Sequence, residues 1–210
     1  MKKILTLCML VCMSCLALWA DGNDDMMARA RQRFQNMKTL TAPVTQTRHN
    51  ALLTADEVSK GTFYFKKPAS MCLKFNNGQD MLLMKDQQFT MVRDGKVNTL
   101  NGKGNSQLEA LKTLLSNFSA GQESDVALDD LADVDVERSG NTVTMTVVPR
   151  VTDAKAKKKM MYQSFVVVID TKAGELKSIR LNEKGSNYTL YEFGKFTVDA
   201  AVSDAVFKLP

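Results

Sequence analysis

The sequence is poor in the residues that carry most enzyme chemistry. It has one histidine, His49, and three of its four cysteines (Cys8, Cys12 and Cys15) fall at the start of the chain. A single histidine cannot build the usual His-rich zinc site, and no Cys/His cluster offers another. Cys72 pairs with nothing once the leader is gone, so no internal disulfide is expected. A Cys72–His49 nucleophile pair finds no support either: Cys72 alternates to the face opposite Met71, Leu73 and Phe75, with nothing near it to lower its pKa. No nucleophile elbow, phosphate loop or dinucleotide fingerprint is present. The polar loop Asn101-Gly102-Lys103-Gly104-Asn105-Ser106 lacks the phosphate-loop spacing. Asp129-Asp130 offers paired carboxylates, but in an acidic run without an aromatic sugar platform. A strong excess of one charge sign is also missing. The net charge of +5 falls by two when Lys2 and Lys3 leave, too mild and dispersed for nucleic acid. These absences argue against an enzyme more clearly than they argue for any ligand.

What is present begins with a leader. Met1-Lys2-Lys3 is cationic, Ile4 to Ala20 is almost wholly apolar, and Asp21 to Asp25 is abruptly polar. This is the pattern of a secretory signal peptide, with cleavage expected after Ala20. A competing reading is lipid attachment at Cys15, although Cys12 stands where a lipoprotein box prefers an aliphatic residue. Residues 21–210 then form one domain, long enough to bury a core without a staple. No later apolar run is long enough to span a membrane.

Residues Asp25 to Leu40 carry apolar side chains at three- and four-residue spacing and predict an amphipathic helix. Period-two alternation then dominates. Strands are expected at Ala42 to His49, Gly61 to Lys67, Met71 to Phe75, Met81 to Met84, Phe89 to Val92 and Val97 to Leu100. Turn signals at Asn76-Asn77-Gly78 and Asp94-Gly95 separate some of them. A second helix is expected from Ser106 to about Phe118, with Leu108, Leu111, Leu114, Leu115 and Phe118 as its apolar stripe. Strands return at Asp135 to Arg138, Thr142 to Val148, Tyr162 to Asp170, Leu176 to Asn182, Tyr188 to Phe193 and Phe196 to Val198. The basic run Ala154 to Lys159 is a solvated loop or, less simply, a contact for an anionic partner. The fold class expected is α+β and mainly antiparallel, with a sheet curled into a half-barrel and helices laid across its apolar face.

The stretch Gly61-Thr-Phe-Tyr-Phe-Lys-Lys-Pro68 stands out. It sets Phe63, Phe65 and Lys67 on one face of a strand. A cation beside two phenylalanines suits a cavity mouth. It also suits an ordinary amphipathic strand whose last lysine snorkels to solvent. The thirteen methionines fit an adaptable apolar surface, or simply replace leucine in the core.

Several stretches together resemble the LolA family, the periplasmic carriers of outer-membrane lipoproteins. They are the leader, the first helix, Val44-x-Gln46, Gly61-x-Phe63-x-Phe65-Lys66-Lys67-Pro68, Met71 to Phe75, Leu176 to Leu181, Tyr188 to Phe193 and Val206 to Pro210. The resemblance implies an unclosed β-barrel whose concave apolar face binds acyl chains and is covered by helices. It implies acylated lipoproteins as cargo, an inner-membrane release complex and an outer-membrane acceptor as partners, and a periplasmic location. The protein is expected to be a monomer. The acyl-binding residues expected are Phe63, Phe65, Met71, Leu73 and Phe75, covered by Leu111, Leu114, Leu115 and Phe118. The family has an arginine latch before the proline of this strand, and here that position is Lys67, which cannot make arginine's planar fork. The family often has a tryptophan where this chain has Leu73. Open alternatives are a carrier of another lipid or apolar ligand on the same fold, a membrane-anchored acceptor lipidated at Cys15, and a structural β-domain with a filled core.

Overall fold

The structure, a computed structural model, describes residues 37–68, 70–85, 88–93, 95–101, 131–151, 153–158, 160 and 162–209. The leader, most of the first expected helix and all of the second lie outside these residues.

The first six strands form a meander: β1 (Thr39–His49), β2 (Glu57–Lys66), β3 (Ser70–Phe75), β4 (Asp80–Lys85), β5 (Gln88–Arg93) and β6 (Lys96–Asn101). A second meander holds β7 (Ala132–Ser139), β8 (Thr142–Pro149), β9 (Ser164–Asp170), β10 (Glu175–Asn182) and β11 (Tyr188–Phe193), followed by the two-residue β12 (Thr197–Val198). A five-residue helix α1 (Ala154–Lys158) lies in the basic connection between β8 and β9. Pairing is antiparallel throughout, in the order β6-β5-β4-β3-β2-β1-β11-β10-β9-β8-β7. Among the described residues β6 and β7 are unpaired edges, so the sheet stays open.

β1 joins the two meanders. Its later half pairs with β11 and its start pairs with β12, so both line one edge. The break between them is at Gly194, whose N–H donates to the Pro43 carbonyl (2.8 Å). Proline lacks the N–H a central strand normally needs. Pro43 is tolerated because this side of it faces the break, where regular pairing has already stopped.

Three expectations are corrected. Asp25 to Leu40 is not helical at its end: Thr39 and Leu40 already belong to β1, paired with Lys66 and Phe65. The local alternation of Thr39-Leu40-Thr41-Ala42 and the pairing it permits outweigh the three-four spacing. Gly61 does not start its strand either. β2 begins at Glu57, and Glu57 to Lys60 pair with Arg48 to Thr45 despite being polar. Finally, Lys67 is not in the strand; β2 ends at Lys66, and the Lys67–Pro68 peptide is cis.

The sheet buries apolar side chains on both faces. The larger cluster runs from Phe89 and Met84 through Phe65, Phe63, Ala42 and Val44 to Phe193, Leu181, Phe165 and Val147. The other face carries a smaller cluster of Cys72, Met81, Leu83, Val92 and Phe207, with Tyr64, Val202 and Val206 against it. The C-terminal segment covers this second face, and the Lys66 ammonium meets the Asp204 carboxylate there (2.6 Å).

Candidate functional site

The register brings the five expected strand residues together. Phe63 pairs with Leu73, Phe65 with Met71, and Gly61 with Phe75. Directly paired residues share a face. All five lie in the larger cluster, from 1% exposed at Phe65 to 9% at Met71. Phe193 and Phe196 extend the patch: Phe63 meets both edge-on, at 5.5 and 6.2 Å between ring centroids, and they stack on each other at 6.0 Å.

Toward the ends of β1, β3 and β5 the same face turns polar. A cavity of about 440 Å³ lies there, within the range of small-ligand sites. Its lining includes Met91 and Arg93 of β5, Gln46 and Arg48 of β1, and Tyr191 of β11. Glu183, just past β10, also lines it. β5 and β10 are six strands apart in the sheet order. A flat sheet would separate them by roughly 29 Å at about 4.8 Å per strand. Sharing one cavity of this volume requires the sheet to curl toward this face. Phe75 connects the two regions: it belongs to the apolar cluster, lines the cavity, and sits 6.1 Å from the Tyr191 ring.

Inside the cavity Gln46, Tyr162, Thr189 and Tyr191 are buried. Gln46 is 4% exposed and donates through Nε2 to the Tyr191 hydroxyl (3.1 Å). Its Oε1 has no partner among the described residues. Burial pushes the Tyr191 phenol up, opposed mainly by the Gln46 hydrogen bond. The Tyr162 phenol is also raised by burial. Thr189 donates to Glu183 Oε1 (3.3 Å). Arg48 and Glu57 face each other across the β1–β2 ladder at 3.6 Å. At the rim His49 stacks on Tyr188 (4.8 Å) and donates through Nδ1 to the Asp56 carboxylate (2.7 Å), while the Arg180 guanidinium lies 3.9 Å from the Tyr188 ring centroid. Among the described residues no cluster of His, Cys, Asp and Glu could hold a metal.

Residues 35–210 match the family model described as outer membrane lipoprotein carrier protein LolA. The chain belongs to the LolA family. No protein of curated function matches it in sequence. Among solved structures it is similar to a DUF1329 family protein from Desulfovibrio piger, at 11% identity and TM-score 0.46, covering 90% of this chain and 96% of that one. It is also similar to a LolA superfamily protein from Nitrosomonas europaea, at 7% identity and TM-score 0.42, covering 88% and 96%. A third is the Mycobacterium tuberculosis lipoprotein LppX, at 12% identity and TM-score 0.38, covering 85% and 94%.

In this LolA-family chain Lys67, the expected latch residue, is half-buried just beyond β2. Its backbone N–H donates to the Lys38 carbonyl (2.9 Å), and its charge helps hold the Asp199 carboxyl low. The expected covering residues Leu111, Leu114, Leu115 and Phe118 lie outside the described residues. Cys72 is buried on the opposite face, its thiol pushed up to about 12, an inert environment for a nucleophile. Sequence reasoning missed Phe193 in the apolar patch, and it missed Tyr162, Tyr191 and the cavity they line. One signal was available: Gln46 is a polar residue in phase with Ala42 and Val44 on the apolar side of its strand.

Proposed function

We propose that this protein carries lipoproteins between membranes by shielding their acyl chains on the apolar face of its half-barrel. The observation that carries this reading is the contiguous patch of Phe63, Phe65, Met71, Leu73 and Phe75, in a chain of the LolA family. An exposed methylene costs about 0.8 kcal/mol in water, so a long acyl chain needs cover to travel. Phe and Met supply apolar area without fixing the ligand by directional bonds, which permits release. In this reading residues 1–20 direct export to the periplasm and are cleaved. The stripe of Leu111, Leu114, Leu115 and Phe118 forms helical cover over the patch. Lys67 takes the latch position, with a weaker hold than arginine because it lacks the planar fork. An inner-membrane release complex and an outer-membrane acceptor are the partners.

The test is to isolate the full chain from its native cell envelope without detergent and identify bound material by mass spectrometry. Acylated protein is the expected cargo. Repeated recovery with no acyl cargo sinks the proposal. Recovery of free lipid alone supports a second reading, transport of another lipid on the same fold, which Lys67 and Leu73 favour as departures from the family pattern.

A further inference from the structure

The cavity at the polar end of the apolar face contains a mismatch that the carrier reading leaves unexplained. Gln46 is buried and its Oε1 accepts from none of the described residues. A buried acceptor without a donor costs about 1–3 kcal/mol of desolvation. An apolar residue of similar shape would avoid that cost. Tyr191 completes the picture. Its oxygen already accepts from Gln46 Nε2, so its own O–H is left to donate, and no described residue accepts it. The phenol is neutral at ordinary pH, because burial holds its proton on. The pair therefore presents one acceptor and one donor side by side. Exchanging the O and N of the Gln46 amide still leaves one end of that amide without a partner.

A secondary amide supplies the N–H; its own carbonyl points the opposite way, so the acceptor is the next polar group of the ligand, a residue carbonyl or a hydroxyl. We propose that this cavity is a subsite for the polar end of an acylated ligand, seating the N–H of a secondary amide on Gln46 Oε1 and the neighbouring acceptor of that polar end on the Tyr191 hydroxyl. This deepens the carrier reading and rests on it. Phe75 lines both regions, so an acyl chain lying on the apolar face leads directly to the cavity. The volume of about 440 Å³ has room for more than the amide itself. Such an amide has two natural sources, an N-acylated peptide or an amide-linked lipid.

The test uses the full chain and two pairs of probes. One pair is a palmitoylated tripeptide and its ester analogue, in which oxygen replaces the N–H of the palmitoyl amide. The other is N-palmitoylethanolamine and its ester analogue. The amide member of at least one pair is expected to bind about fivefold tighter or better, the size of one net hydrogen bond. The pair showing the larger preference identifies the source. Gln46→Leu is expected to abolish the preference, so that the amide and ester members of each pair bind equally. Equal affinities within both pairs, or a preference that survives Gln46→Leu, overturns the subsite even if every probe binds tightly and the carrier reading stands. Failure of all four probes to bind overturns the carrier reading instead. Should Gln46→Leu not fold, the probe pairs on the unaltered protein decide the matter alone.

Discussion

Phe75 lies across Gly61. A β-carbon built on Gly61 would stand 2.5 Å from Phe75 Cδ1 and would also strike the Lys74 carbonyl oxygen. The missing side chain lets the Phe75 ring lie over β2 and reach Tyr191, three strands away in the sheet order. This glycine is therefore an opening in the middle of a strand, made for a neighbour's ring. Gly61→Ala is expected to destabilise the protein by about 2–3 kcal/mol, since overpacking against backbone cannot relax easily. Urea unfolding should show a lower midpoint with an unchanged slope. A midpoint equal to that of the parent protein contradicts the close packing.

The polar pair in the cavity makes a prediction about stability with no ligand present. Tyr191→Phe leaves the Gln46 amide without any partner and should cost about 1–2 kcal/mol. Tyr191→Phe combined with Gln46→Leu removes both buried polar groups. That double variant should lie within about 1 kcal/mol of the parent, or above it. Thermal unfolding of both variants checks the order; a double variant weaker than Tyr191→Phe alone refutes it.

Asp199 ties the start of β1 to the far end of the chain. Its carboxylate accepts the Lys38 N–H (2.7 Å) and the Thr39 N–H (3.4 Å). These bonds, the Lys38 one foremost, hold its pKa below the ordinary aspartate value of 3.8. A carboxyl depressed in the folded state stabilises above its unfolded pKa and loses that contribution as pH falls through the folded one. Asp199→Asn suits the same backbone, since φ is 55° and both residues tolerate the left-handed region. The variant should be less stable than the parent at pH 7, and the gap should narrow as pH drops below 3.8. A gap that is constant with pH argues against the charged bond.

Cys72 is fully buried, and desolvation pushes its thiol from 9.0 up to about 12. A thiol raised in the folded state adds stability that is complete below the unfolded value and is lost as pH climbs from 9.0 toward 12. Native protein should resist a thiol reagent at pH 8 and react fully once unfolded in urea. Cys72→Ala should blunt the loss of stability above pH 9. Rapid labelling of the native protein at pH 8 contradicts the burial.

Most strands were legible because each has one face against a large apolar cluster, which imposes period two on sequences such as Phe63-x-Phe65 and Met71-x-Leu73-x-Phe75. The turns at Asn76 to Gly78 and at Gly95 were legible because positive φ there favours Asn or Gly. Glu57 to Lys60 were not legible as strand. Their side chains are largely exposed, and only pairing to β1 makes them extended. The end of the first expected helix misled because Leu40 fits both periods, three residues after Met37 and two before Ala42. The five residues expected on one apolar face could be grouped from the sequence because they neighbour each other in two adjacent strands. Tyr191 and Phe193 were not, because their proximity to Phe75 and Phe63 comes from sheet order and curl, which no local pattern encodes.

The two-sided edge of β1 sets a schedule for the chain. β1 is the first strand, yet Val44 pairs with Phe193 and Lys38 is held by Asp199, 161 positions away. Contacts this remote in sequence slow folding, because a long loop must close before they form. A chain emerging N-terminus first has β2 to shield one side of β1, while its other side stays bare until the last hairpin arrives. Throughout that interval the most central strand of the finished sheet is an exposed edge, open to pairing with another chain. Whatever accompanies this protein during its synthesis must guard that edge until Tyr188 to Val198 come into reach.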